Sequence, residues 1–171
     1  PGLVVFECTA TRPSVTAYRE TPPGFECSFV NRAFEFYANE YYVREKRGHG
    51  TERKLVRIDV PLDAVMSTAR EWITIQPRSA WTVGGKTWPS GSLLAAKFDD
   101  FMAGKRDFTA LFTPSDSTSL DGYSWTRHHL ILNTMENVVS RLEVLTPPKS
   151  GHGEWKREPL GVAPARSNIP A

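Results

Sequence analysis

Short runs of alternating character, cut by turn residues, dominate the chain. In Lys54-Leu55-Val56-Arg57-Ile58-Asp59-Val60, the apolar Val56, Ile58 and Val60 share one side, while Arg57 and Asp59 take the other. A period of two is the spacing of a strand, whose successive side chains point to opposite faces. Arg70 to Gln76 sets Ile73 and Ile75 opposite Trp72, and Ser92 to Phe98 is apolar on both sides. Such a strand belongs in a sheet covered on both faces. Trp81-Thr82-Val83 and Lys86-Thr87-Trp88 flank Gly84-Gly85 and predict a small inserted hairpin, because glycine supplies positive φ without a Cβ clash. Asp99 to Gly104 predicts one helical turn closed by glycine. Further strands are expected near Ser119–Trp125, His128–Thr134, Val139–Leu145 and Glu154–Glu158.

These pieces repeat. Gly48-His49-Gly50, Gly104-Lys105-Arg106-Asp107 and Gly151-His152-Gly153 each precede a strand-like run. Val60-Pro61-Leu62-Asp63 is echoed by Thr113-Pro114-Ser115-Asp116. Arg70-Glu71-Trp72-Ile73-Thr74-Ile75 is echoed by Arg127-His128-His129-Leu130-Ile131-Leu132, and Ser92-Leu93-Leu94-Ala95-Ala96 by Ser140-Arg141-Leu142-Glu143-Val144. A period of about 50 residues with strands inside each unit is the mark of propeller blades. The expected fold is all-β: a partial β-propeller of about three four-stranded antiparallel blades. The blades are expected at 24–59, 61–112 and 114–159 of a single domain, 1–171, with 1–19 as the remnant of a preceding blade. Leu160–Ala171, rich in Pro and Ala, is expected to fray or to begin a further blade. A closed barrel or sandwich also accommodates regular strand spacing, but the recurring Pro-x-Asp and Arg-x-x-apolar pairs favour blades.

Composition narrows the function classes. Hydrophobic residues at 40% and charged residues at 23% fit an ordinary soluble fold. A net charge of +2 is too weak to argue for nucleic acid. The densest basic stretch, Arg44-Glu45-Lys46-Arg47 with Arg53-Lys54, carries an interleaved acid and reads as a solvated hairpin tip. No apolar window reaches membrane-spanning length, and no signal-peptide pattern opens the chain, so no membrane partner is expected. The start at Pro1 points to a fragment or processed product. Cys8 and Cys27 cannot form a disulfide framework, and a reduced pair in the cytoplasm is expected.

The candidate chemistry is thin. His128 and His129 are adjacent on an expected strand, so they point apart and cannot converge on one atom. His49 and His152 sit in equivalent turns with no Cys or carboxylate at ligand spacing. Asp99-Asp100 lacks the alternating oxygens and distal Glu of a calcium loop. Ser119, Ser124 and His129 supply the parts of a nucleophile–base pair without a strained elbow or oxyanion hole. No catalytic, cofactor-binding or metal residue is therefore assigned, and no cofactor is expected. Of the five tryptophans, Trp72, Trp125 and Trp155 read as packing residues. Trp81 and Trp88, on the inserted hairpin, are expected to be exposed and form the candidate contact surface.

Several stretches resemble a known family. They are Arg70-Glu71-Trp72, Trp81-Thr82-Val83-Gly84-Gly85, Pro89-Ser90-Gly91-Ser92-Leu93-Leu94, Phe98-Asp99-Asp100-Phe101, Phe108 to Phe112 and Thr118-Ser119-Leu120. The most specific is Thr126-Arg127-His128-His129-Leu130-Ile131-Leu132-Asn133 with Asn137-Val138-Val139-Ser140-Arg141-Leu142-Glu143-Val144. Together, from about Gly24 to Gly161, they resemble the propeller segment of prolyl-oligopeptidase-like serine peptidases. The resemblance implies a parent enzyme whose propeller limits entry to short peptides and whose α/β-hydrolase domain carries a Ser-Asp-His triad. The implied partners are that catalytic domain and a short peptide substrate. The chain contains no Gly-x-Ser-x-Gly elbow, so no family catalytic residue is carried over and the chain alone is expected to be inactive. Uncapped blade faces predict self-association. Two other readings stand beside this one: a self-contained β-rich binding module, and a small hydrolase using Ser119 or Ser124 with His129.

Overall fold

A computed structural model describes residues 14–35, 38–44, 54–149 and 153–161. Among these residues are fourteen strands and one short helix. The chain divides into two compact units, Pro1–Thr113 and Pro114–Ala171. His49, His152 and Cys8 lie outside the described residues, as do the Gly48-His49-Gly50 turn and most of Leu160–Ala171.

The first unit holds two four-stranded antiparallel sheets. One runs β1 (Ser14–Glu20), β2 (Cys27–Glu35), β3 (Ala38–Arg44), β4 (Leu55–Ile58), each strand beside the next. The other is formed by β5 (Val65–Ala69), β6 (Trp72–Gln76), β9 (Leu93–Lys97) and β10 (Thr109–Phe112). Between β6 and β9 the chain inserts the two-stranded hairpin β7 (Trp81–Val83) and β8 (Lys86–Trp88). The helix α1 (Phe98–Met102) follows β9 directly. Gly104, at φ 94°, ends it by donating its N–H to the Phe101 carbonyl at 3.0 Å.

The two sheets share a core. Phe29, Tyr41, Val43 and Ile58 come from the first, and Met66, Ile73, Ile75 and Ala96 from the second, with Phe101 of α1. Each Val, Ile, Met or Phe side chain among them contributes about 1.5–3 kcal/mol by leaving water. Polar links cross the same gap. The Tyr41 hydroxyl donates to the Ala64 carbonyl at 3.3 Å and accepts from the Met66 N–H at 3.4 Å. Thr68 hydrogen-bonds Glu20. As the apolar runs predict, Trp72 to Ile75 and Leu93 to Ala96 are buried without a break, so β6 and β9 have no solvent side. Thr74 is the polar member of that run, and its hydroxyl meets the Ser67 hydroxyl at 2.8 Å on β5.

One boundary differs from the sequence expectation. The sequence pattern makes residues 1–19 the remnant of a preceding blade, yet β1 pairs with β2 from Ser14↔Ala33 to Glu20↔Cys27. Residues 14–20 are thus the opening strand of the first sheet. Val15, Ala17 and Arg19 alternate with Thr16, Tyr18 and Glu20, which is too mixed a pattern to announce a buried strand.

The second unit is one sheet in chain order: β11 (Thr118–Trp125), β12 (Leu130–Glu136), β13 (Val139–Thr146), β14 (Lys156–Pro159). Leu130, Leu132 and Thr134 are buried at alternate positions of β12, as is Leu145 on β13. The turn between these strands places Asn137 at φ 46° and Val138 at φ 70°. Two of the three echoes seen in the sequence fall at similar places. Arg70 and Arg127 lead into the second strand of their sheets; Ser92 immediately precedes the third strand of its sheet, and Ser140 is the second residue of the third strand of its own.

Candidate functional site

The inserted hairpin was the expected contact surface, and its geometry starts from its turn. Gly84 and Gly85 take φ 59° and 75°, a conformation in which side chains with a Cβ are strained. A Cβ on Gly84 would also meet the Cβ of Arg106 at 3.1 Å, so the turn rests directly on the Arg106 backbone segment. Phe108 lies beneath the hairpin, with its ring centroid 5.4 Å from Trp81, 6.3 Å from Trp88 and 6.0 Å from Phe101. Lys86 covers the outer face of Trp88 at 3.9 Å. Trp88 is consequently 6% exposed and Trp81 half-buried. This corrects the expectation of an exposed aromatic pair. Both rings close over Phe108, which lies twenty or more positions further along the chain, and period alone carries no trace of that contact.

Arg106 locks the arrangement. It donates to the Phe101 carbonyl at 3.0 Å and to Asp59 at 2.9 Å, and lies 4.4 Å from the Phe101 ring. The Asp59 bond reaches back to the end of β4, so one guanidinium joins the first sheet to α1 and the hairpin. Next to it, Lys105 donates to Asp100 at 2.8 Å. That hydrogen bond, reinforced by the Asp100 charge, holds the Lys105 ammonium above its ordinary value. Asp100 thus serves as an ion-pair partner for the loop.

The other candidates do not converge. Ser119 and Ser124 are exposed on β11, opposite Met135 and Ile131. His129 precedes β12 instead of lying within it, and its Nδ1 is 3.0 Å from the Thr146 hydroxyl. His128 is exposed in the same turn, which Thr126 closes by exchanging hydrogen bonds with His129 at 3.0 Å. Cys27 is half-buried on β2. No group of three His, Cys, Asp or Glu side chains comes together at metal-binding distance among the described residues.

One constellation was missed in the sequence. On the first sheet, Arg19, Arg32, Arg44 and Arg57 fall on the same face as Glu40, the face opposite Phe29 and Val43. Each arginine sits on a different strand, so no local run announced the cluster. Glu40 lies 3.7 Å from Arg32 and 3.9 Å from Arg57, and accepts from the Tyr42 hydroxyl at 3.0 Å. The Tyr42 phenol is held above its ordinary value of 10.0, first by burial and then by that bond.

Comparisons with known proteins place this geometry in context. No family model matches the chain. Over 122 residues, 69% of its length, the chain is 28% identical to "Uncharacterized peptidase RP174" of Rickettsia prowazekii (strain Madrid E). It spans 17% of that relative. Its fold matches part of "Structure of a Post-proline cleaving enzyme from Rickettsia typhi", with a TM-score of 0.71 and 24% identity. That match covers 85% of this chain and 21% of the solved one. No helix among the described residues is long and apolar enough to cross a membrane. The three four-stranded sheets form a partial β-propeller, and the chain resembles a segment of a prolyl-oligopeptidase-like peptidase.

Proposed function

We propose that this chain is a non-catalytic propeller segment of a longer serine-type peptidase, where it restricts entry to short peptides. The supporting observation is the repetition of four-stranded meanders, in a chain that covers 17% of its peptidase relative. Sheets tied by backbone hydrogen bonds make a stiff wall. A stiff wall discriminates by size, because a short peptide passes where a folded protein does not. Bond cleavage is assigned to an α/β-hydrolase partner domain in the same parent chain. The setting proposed is cytoplasmic, and the segment on its own is proposed to self-associate.

The test uses a fluorophosphonate probe, which labels an activated serine. This chain is expected to remain unlabelled at probe concentrations that saturate a serine peptidase. Labelling at Ser119, Ser124 or any other serine would overturn the non-catalytic reading. The gating claim is tested in the longer enzyme. Cleavage of a short peptide is compared with cleavage of the same sequence inside a folded protein, with and without residues 61–159. Deletion is expected to admit the larger substrate, and unchanged exclusion in an active deletion variant would remove the gate.

A further inference from the structure

We infer that the arginine-bearing face of the first sheet is a docking surface for an acidic peptide segment. Alternation along the paired strands puts Ala17 and Arg19 of β1, Ser28, Val30 and Arg32 of β2, Glu40, Tyr42 and Arg44 of β3, and Leu55 and Arg57 of β4 on this face. The opposite face carries Phe29, Val43 and Ile58 into the shared core. The two faces of one sheet therefore differ in kind: one is apolar and covered, the other holds four guanidiniums against a single carboxylate among the described residues.

Glu40 engages Arg32 and Arg57, and leaves Arg19 and Arg44 without an ion pair among the described residues. These two flank Ser28 at the mouth of a cleft of about 220 Å³, floored by Ala17, Val30 and Leu55. Arg44 is half-buried, and its Nε meets no acceptor among the described residues. An apolar occupant would strip water from these guanidiniums and return nothing to them. A carboxylate matches the guanidinium fork with paired, charge-assisted hydrogen bonds.

The spacing favours a chain over a lone anion. Arg19 and Arg44 stand on strands two apart, roughly 10 Å between backbones. Separate carboxylates along one peptide reach both, while the methylene stems of Glu rest on Ala17 and Leu55. This surface is independent of the peptidase reading, because it rests on the first sheet alone.

The experiment measures fluorescence anisotropy of a labelled peptide of alternating Glu and Val, titrated with this chain at low ionic strength. Saturable binding is expected, weakening as salt shortens the screening length. Arg19→Gln and Arg44→Gln are each expected to weaken it roughly tenfold. Arg127→Gln, in the second unit, is expected to leave it unchanged. Arg19 is exposed on an outer strand, so its substitution leaves the core intact, and circular dichroism confirms the fold of each variant. Any of four outcomes overturns the proposal: no binding by the native chain, undiminished binding by Arg19→Gln, equal loss in Arg127→Gln, or tighter binding of an oligothymidylate or a Lys/Val peptide.

Discussion

Single side chains decide how the pieces of the first unit are held. Phe108 touches Trp81, Trp88 and Phe101 at once, so it acts as the common floor of the hairpin and α1. Phe108→Ala is expected to cost about 2–3 kcal/mol, below the range for a fully enclosed ring because Phe108 is half-buried. Chemical denaturation with tryptophan emission reads both the loss and the exposure of Trp88. Tyr42 supplies a pH-dependent contribution. The fold favours the neutral phenol, so this stabilisation is complete below pH 10.0, the ordinary value, and is lost as pH climbs through the raised folded value. Tyr42→Phe should lose stability less steeply than the native chain from pH 10.0 upward, in thermal melts across that range. An equal slope in the two proteins would show that the Tyr42 hydroxyl is not responsible. At this scale the sequence told little. Trp88 and Phe108 carry no shared period, and Arg19 and Arg44 come together only through strand pairing.

Elements were more legible, wherever a run was apolar on both sides or alternated cleanly. β9 was visible because a strand with no solvent side leaves a continuous apolar run, and β6 because Ile73 and Ile75 share one side with Trp72 on the other. β12 was visible from Leu130 and Leu132, although the turn closed by Thr126 delays its start past the two histidines. β5 gave no such signal, since Val65 to Ala69 mixes Ser and Thr with a single Met, and its place follows from pairing with β6. The turn at Asn137-Val138 carries its own prediction. A β-branched residue at φ 70° is strained, and Val138 is 88% exposed, so its side chain offers little packing in return. Glycine removes that clash and gives the Asn-Gly pair favoured in tight hairpins. Val138→Gly is expected to raise stability by about 1 kcal/mol, visible as a higher melting temperature. A lower melting temperature would indicate that the Val138 side chain packs on something that outweighs the strain.

At the scale of the molecule, the repeat was the strongest message of the sequence, because three units of similar length each needed the same number of strands. Its first boundary was less certain, because β1 is exposed along most of its length and so carries no buried stripe. The open strand has a consequence for solution behaviour. Val15 and Tyr18 are each 38% exposed on β1, which stands at the end of its sheet among the described residues. Sedimentation velocity at micromolar concentration is expected to show dimers or larger species. A strictly monomeric boundary would count against self-association through exposed strands. The enclosure of β6 and β9 has another reach. Over evolutionary time, drift is filtered most harshly where neither flank of a ribbon touches solvent. Lineages descended from a common ancestor should therefore keep Ile73, Thr74, Ile75, Leu94 and Ala95 nearly fixed, while β14, exposed throughout, diverges freely.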